Sequence, residues 1–399
     1  MIRKVIQGGG VLFLSMLVVN VLNYGYAVVL GRVFGPSEYG AYASFISLFL
    51  LVALLPLTLQ QAGARYAAIN ESVAAYTTRL AWIAGGGFGL VLVAGSFWLS
   101  PLLNLPAGWL VWLGVLVPFY AWLGVLRGEA QGLQNFRGFG LNMVLEHAIK
   151  ILLTPLALLV LPGATGAVAA TLAALPATIW HLKRYQSTLQ VTLARQQEVL
   201  QYSAPVFTNL GAQAVIINSD ILMVNALLPR QEAGIYAAVA MIGRVVFYSS
   251  WAIGTALFPM VSARQNAGAS PRLLLWVALG TVGLISGGIT LVCAVAPEWV
   301  LGLLYGDAYL PGAPLVGPYA LLTTLYALAS AISNHYLALG EHAAGYLPLL
   351  GAAAQLVLIG LFHDTLSEVV WSQMAAKGGL LVLSLLSVVW FERRRQRSG

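Results

Sequence analysis

Five ionisable side chains lie deep inside long apolar runs of this sequence, where charge is least expected. Glu146 and Lys150 are four residues apart, so on a helix they share a face and can pair, with Asn142 on the same stripe. Asp220 shares a face with Asn209 and Gln213, because steps of about 100° per residue nearly close on whole turns at these spacings. Arg244 and Lys377 each fall about ten residues into an apolar run, or about 15 Å at about 1.5 Å of rise per residue. A sixth charge, Arg32, closes the first run. Buried cations attract anions, and a buried carboxylate can carry a proton or hold a cation. Such residues are costly in hydrocarbon and normally face a bundle interior or a wet cavity. Each also has a plainer reading. Glu146–Lys150 is an ion pair, Asp220–Arg244 a salt bridge locking two helices, and Arg32 an interfacial anchor whose stem lies in lipid. That reading is hardest to sustain for Lys377, whose nearest acid on its own run is Glu368, nine residues away.

Other chemistries have little support. One cysteine, Cys293, excludes an intramolecular disulfide and any Cys-cluster metal site, and the five histidines are scattered. There is no H-E-x-x-H, G-x-S-x-G or Walker pattern, and no acidic cluster suited to a metal-dependent transferase. No loop exceeds roughly twenty residues, which leaves little room for an extramembrane active site; catalysis is the weaker class of reading, and no cofactor is expected.

The elements that hold these charges follow from composition. Hydrophobic residues make up 59% of the chain and charged residues 8%, with mean hydropathy +0.84. Soluble domains carry about 25% charge, so the outer face of this fold must meet lipid. A crossing needs about 20 mostly apolar residues. Twelve segments qualify: 11–33, 39–61, 79–99, 109–130, 139–161, 164–182, 203–228, 233–260, 273–297, 314–337, 343–363 and 367–391. Met1–Lys4 leads straight into the first of them without an A-x-A-like end, so that segment is expected to be a span and not a cleaved signal.

The loop charges alternate in sign of bias. One side carries Arg3, Lys4, Arg65, Arg79, Arg127, Arg137, Lys183, Arg184, Arg195, Arg264, Arg272 and the basic tail Arg393, Arg394, Arg395 and Arg397; the other carries only Arg32 and Arg230. This asymmetry predicts an even number of crossings with both termini cytoplasmic. The net charge of +7 is spread through these loops without interleaved aromatics, which argues against nucleic acid as a partner. A polar stretch, 183–200, is expected to link two six-helix halves, 1–182 and 201–399.

An internal repeat supports the halves. Glu38-Tyr39-Gly40-Ala41-Tyr42-Ala43 recurs 194 residues later as Glu232-Ala233-Gly234-Ile235-Tyr236-Ala237, each copy preceded by a proline turn. Six crossings per half make the repeats parallel, related by an axis along the membrane normal.

At these residues the sequence resembles the MOP superfamily of exporters, specifically its Wzx-type polysaccharide flippases. Leu30-Gly31-Arg32-Val33-Phe34-Gly35-Pro36-Ser37-Glu38-Tyr39-Gly40 is similar to the R-x-L-G-P-x-x-Y-G signature of that family, with Phe34 in place of the usual Leu. Gln131 to Arg137, Asp220 with Gly234-Ile235-Tyr236, and Leu304 to Tyr309 resemble later landmarks, so the resemblance runs from about 30 to 310. It implies an all-α polytopic membrane protein of about twelve helices, in two six-helix bundles around a central cavity. It also implies transport of polyprenyl-diphosphate-linked oligosaccharide across a bacterial cytoplasmic membrane for surface polysaccharide assembly. Membrane lipids and other polysaccharide-assembly proteins are the remaining expected partners. Arg32, Lys150, Arg244, Lys377, Asn209 and Gln213 are then candidates for the cavity lining, and Asp220 and Glu146 for ion coupling. Gly35, Pro36, Tyr39, Gly40, Gly234 and Tyr236 are the motif positions. The rival reading within the superfamily is a MATE-like drug or cation antiporter. It fits less well, because deep bases outnumber deep acids and the first run has no acid. A non-transporting scaffold of a glycan-assembly complex is the third class.

Overall fold

A computed structural model describes residues 2–69, 73–183, 193–265, 271–339, 341 and 345–398. The chain divides into two compact units, Met1–Gly211 and Ala212–Gly399. The first holds α1 (Ile2–Val52), α2 (Leu54–Ala67), α3 (Ala74–Leu103), α4 (Ala107–Gly132), α5 (Phe136–Val160), α6 (Ala164–Ala173), α7 (Leu175–Lys183) and the start of α8 (Leu193–Leu227). The second holds the rest of α8, then α9 (Arg230–Gln265), α10 (Pro271–Val295), α11 (Pro297–Tyr305), α12 (Ala313–Ala338), α13 (Leu347–Leu361) and α14 (Leu366–Ser398).

Among the described residues, nine stretches are long and apolar enough to cross a membrane. One of them, Gly10–Ala67, has 58 residues, far more than the roughly 20 a single crossing needs. It is two crossings, divided at Gly35, whose φ of 71° and ψ of 176° interrupt α1. Two further apolar helices, α9 and the shorter α13, lie outside these nine. With them the protein has twelve transmembrane helices. α6 and α7 form one crossing, Ala164–Lys183.

The break at Gly35 shows what the Gly-Pro-x-Glu part of the motif does. A side chain at Gly35 would strain the backbone, and Pro36 cannot donate back into the turn before it, so a new helix begins there. Two residues on, the Glu38 carboxylate accepts a hydrogen bond from the Ala164 amide at 3.0 Å, at the N-terminus of α6. Gly163 (φ 65°) lies directly under that carboxylate, where a Cβ would collide with it. Glu38 thus ties the turn between the first two crossings to the turn before the sixth. Glu38→Ala is expected to cost about 1 kcal/mol, as loss of a helix cap does. A lowered unfolding midpoint of the detergent-purified protein is the check.

Close packing in the first unit comes from glycine. On α4, Gly124, Gly128 and Gly132 recur every fourth residue and lie against the backbone of α2 at Pro56, Gln60 and Ala64. Farther up α4, Gly114 and Pro118 face Gly89 and Gly85 of α3. Lipid gives helices no hydrophobic reason to associate, so small residues that let backbones meet carry the contact. The second unit uses larger groups. Ile216, Phe247, Val282, Tyr326 and Leu380 form its core, with Phe247 stacked on Tyr326 at 5.0 Å.

The expected linker 183–200 is only partly described. Residues 184–192 lie outside the described residues, and 193–200 are the first turns of α8. Those turns are helical because they are anchored. Val199 is buried with Ala62, Tyr66 and Val73, Arg195 pairs with Glu198, and its guanidinium lies 5.6 Å from the Tyr66 ring. Arg65 in turn lies 4.3 Å from the Tyr202 ring.

A buried lysine in each unit

In the first unit, α1, α2, α4, α5 and α6 line a cavity of about 310 Å³. Its apolar and aromatic lining includes Ile46, Phe49, Leu50, Pro56, Leu57 and Tyr120. Phe49 meets Tyr120 edge-on, with ring centres 4.9 Å apart. Its polar lining is Asn23, Gln60, Arg127, Glu146, His147 and Lys150.

The charges in this lining are not paired as their spacing suggests. Glu146 does not bridge to Lys150. Its carboxylate takes the Arg127 guanidinium at 2.5 Å, and Arg127 Nε also donates to Asn142 Oδ1 at 2.8 Å. Arg127 sits on α4 and points into the unit, so it does not belong among the loop charges. Its planar fork meets two acceptors on α5 at once, through Nε and Nη2. Lys150, 6% exposed, donates instead to Asn23 Oδ1 at 3.1 Å. Its ammonium lies 4.6 Å from the centre of the Tyr26 ring, within cation–π range.

The second unit contains a longer buried chain of contacts. Lys377, 5% exposed, donates to Gln373 Oε1 at 3.0 Å. The amide nitrogen of Gln373 donates to the Tyr236 hydroxyl. Tyr236 and Tyr319 both donate to Asp220 Oδ2, at 2.9 and 2.5 Å. The Tyr319 ring also lies under the Lys377 ammonium, 5.8 Å away. α8, α9 and α12 each supply one residue of this chain and α14 supplies two. Asp220 is fully buried and its Oδ1 has no hydrogen-bond partner. The salt bridge expected between Asp220 and Arg244 does not form: the two hydroxyls bind Oδ2, Oδ1 stays open, and the Arg244 guanidinium donates to Ile217 O at 3.1 Å. Arg244 remains buried.

The other candidates scatter. Asn209 and Gln213 are half-buried on α8, while Arg32 is exposed at the end of the first crossing. Tyr39 and Gly40 are buried behind the Gly35 break, and Gly234 and Tyr236 are buried near the start of α9. The repeat is visible in contacts as well as letters. Tyr42 and Tyr236 are repeat partners, and the same offset relates Tyr26 to Asp220. Tyr26 meets Tyr42 edge-on at 6.2 Å, and Asp220 accepts from Tyr236. Each unit therefore brings the same two positions together and sets a buried lysine beside them. Sequence reasoning missed Tyr120, Tyr319, Gln373 and the role of Arg127. The repeat alignment marked Tyr236, but no spacing within one helix marks partners on another.

Solved structures match this fold over nearly the whole chain. An inward-facing multidrug resistance MATE family transporter of the MOP superfamily aligns with TM-score 0.76 at 14% identity, covering 94% of each chain. A MOP superfamily transporter from Pyrococcus furiosus aligns at 0.70 with 16% identity, covering 98% of this chain and 95% of its own. An outward-facing MATE family transporter aligns at 0.65 with 17% identity, over 98% and 96%. The fold is thus that of a MOP superfamily membrane transporter. A family model for polysaccharide biosynthesis proteins matches residues 5–265, and the chain belongs to that family. No curated protein matches it significantly in sequence.

Proposed function

We propose that the protein is a flippase for polyprenyl-diphosphate-linked oligosaccharide, working by alternating access between its two units. The observation that carries this reading is the buried lysine in each unit. Lys150 and Lys377 both meet neutral amide oxygens, and the ion pairs among the described residues lie elsewhere, at Arg127–Glu146 and Arg195–Glu198. A cation kept inside the membrane without a carboxylate against it costs free energy that folding alone does not require. A transported anion accounts for it. A sugar-diphosphate head group cannot cross about 30 Å of hydrocarbon unaided, and a cavity with fixed positive charge lowers that barrier while the prenyl tail stays in lipid. Membership of the polysaccharide biosynthesis family supports the glycan cargo. The Pyrococcus furiosus relative, whose binding pocket has reverse polarity, is a precedent within the fold for a pocket of altered charge.

Arg244 and Lys377 supply positive charge for the diphosphate, and Asp220 is the coupling carboxylate. Arg32, Asn209 and Gln213 are second-rank contacts. The six-helix halves, 1–182 and 201–399, rock against each other in the inner membrane of a bacterium, beside other polysaccharide-assembly proteins. The MATE relatives favour drug or cation export as the alternative. Against it, Glu146 is consumed by Arg127, which leaves Asp220 as a deep carboxylate without a cation in hydrogen-bond contact. Complementation of a flippase-null strain, with lipid-linked intermediates measured in each leaflet, tests the proposal. Restored surface glycan supports it, and inner-leaflet accumulation despite normal expression opposes it.

Both termini are expected in the cytoplasm. Fusions to the C terminus should fluoresce with a cytoplasmic reporter and be inactive with a periplasmic phosphatase; the reverse would show an odd number of crossings.

A further inference from the structure

We infer that the cavity of the first unit is a recognition site for one acidic monosaccharide, a uronic acid residue of the cargo glycan, and not for its diphosphate. The inference rests on the flippase reading and names the sugar chemistry it favours. Four features of the cavity converge on this ligand.

The first is charge. Arg127 and Glu146 cancel each other at 2.5 Å, leaving the Lys150 ammonium as the uncompensated charge in the polar lining. One ammonium matches one carboxylate. A diphosphate carries more charge and is the more strongly hydrated ion, and a single lysine in so apolar a chamber compensates it poorly. The second is size. At about 310 Å³ the cavity sits at the lower end of the roughly 300–1,000 Å³ of small-molecule sites, which suits a single sugar ring and not a longer glycan.

The third is the mixed lining. A pyranose presents C–H groups on one face and hydroxyls around its edge. Here Phe49 and Tyr120, with Ile46 and Leu50, offer apolar surface, while Asn23 and Gln60 offer amide groups to the same space. The fourth is an unfilled donor. The Tyr120 side chain is 6% exposed and its hydroxyl has no hydrogen-bond partner. Buried hydroxyls are nearly always bonded, so one left open on a cavity wall points to a ligand oxygen. Lys150 has donors to spare, since its bond to Asn23 uses one of three N–H groups.

The test uses the full-length protein in nanodiscs and three probes: methyl glucuronide, methyl glucoside and inorganic pyrophosphate, with binding followed calorimetrically. The glucuronide is expected to bind at least tenfold more tightly than the glucoside. Lys150→Gln should abolish that preference, and Tyr120→Phe should weaken glucuronide binding severalfold without a change in elution or unfolding midpoint. The Tyr120 variant keeps the test decisive if Lys150→Gln fails to fold. Equal affinity for the two glycosides, or no glucuronide binding at all, overturns the inference. So does a pyrophosphate site that depends on Lys150, although that result leaves the flippase reading standing. Conversely, glucuronide binding by a protein that moves no lipid-linked glycan would sink the flippase reading and keep the site.

Discussion

Lys377→Met should reduce translocation of a lipid-linked glycan at least tenfold, about 1.4 kcal/mol at 25 °C, while leaving the unfolding midpoint unchanged or raised. The direction of the stability change separates two accounts of this residue. Lys377 is buried, donates to the Gln373 amide oxygen, and reaches Asp220 only through Gln373 and Tyr236 and across the Tyr319 ring. If its charge exists for an anionic cargo, methionine of similar length relieves a desolvated ammonium at little packing cost, and only transport suffers. If its charge exists to compensate Asp220, methionine strands a buried carboxylate and the fold weakens by several kcal/mol. Transport rates in vesicles and a thermal melt of the same preparation decide between them. A lowered midpoint with near-normal transport would make Lys377 structural.

The largest effect on stability is expected at Gly128. A Cβ there would sit 2.5 Å from the Gln60 carbonyl oxygen, on backbone that cannot rotate aside. Gly128→Ile must push α2 away from α4 along the whole Gly124–Gly128–Gly132 seam. Overpacking of this kind costs about 3 kcal/mol, a large part of the 5–15 kcal/mol that holds a typical fold together. The seam also borders the cavity, through Gly124 and Gln60, so any surviving protein should lose ligand binding as well. Gly87→Ala, on the exposed side of α3 with nothing within 4 Å of its Cβ, is the matched control and should be silent. Folded yield and unfolding midpoint are the readouts; a Gly128→Ile protein as stable as the control would show that α2 and α4 are not held by this seam.

Much of the fold was legible because a membrane imposes length and apolarity on every crossing. The twelve runs, the turn at Gly35-Pro36 and the repeat linking Tyr42 to Tyr236 all follow from local chemistry. Depth was legible too: Lys150, Asp220, Arg244 and Lys377 are buried, as their distance from the run ends suggests. Pairing was not. Spacing along one helix gave Lys150 as the partner of Glu146, but an arginine on α4 has the longer reach and the better geometry, and sequence holds no measure of which helices touch. The same blindness hid Tyr319 and Gln373 from Asp220, and Tyr120 and Phe49 from Lys150. The Tyr319–Asp220 and Gln373–Tyr236 bonds join positions 99 and 137 residues apart. The charge-bias argument erred at Arg127 for a related reason. It reads position in a loop, and Arg127 is still inside α4 with its side chain turned toward Asn142 and Glu146.

The most direct test of a lysine-lined anion path is translocation in sealed vesicles holding the purified protein and a fluorescent polyprenyl-diphosphate oligosaccharide. Loss of fluorescence to a quencher outside reports the leaflet. The wild-type protein should expose inner-leaflet substrate to the quencher, the Lys150→Gln, Lys377→Met double variant should not, and excess of an organic cation such as ethidium should have no effect on the wild type. Export of ethidium by the same vesicles, with the lipid-linked glycan left in its original leaflet, would contradict the account.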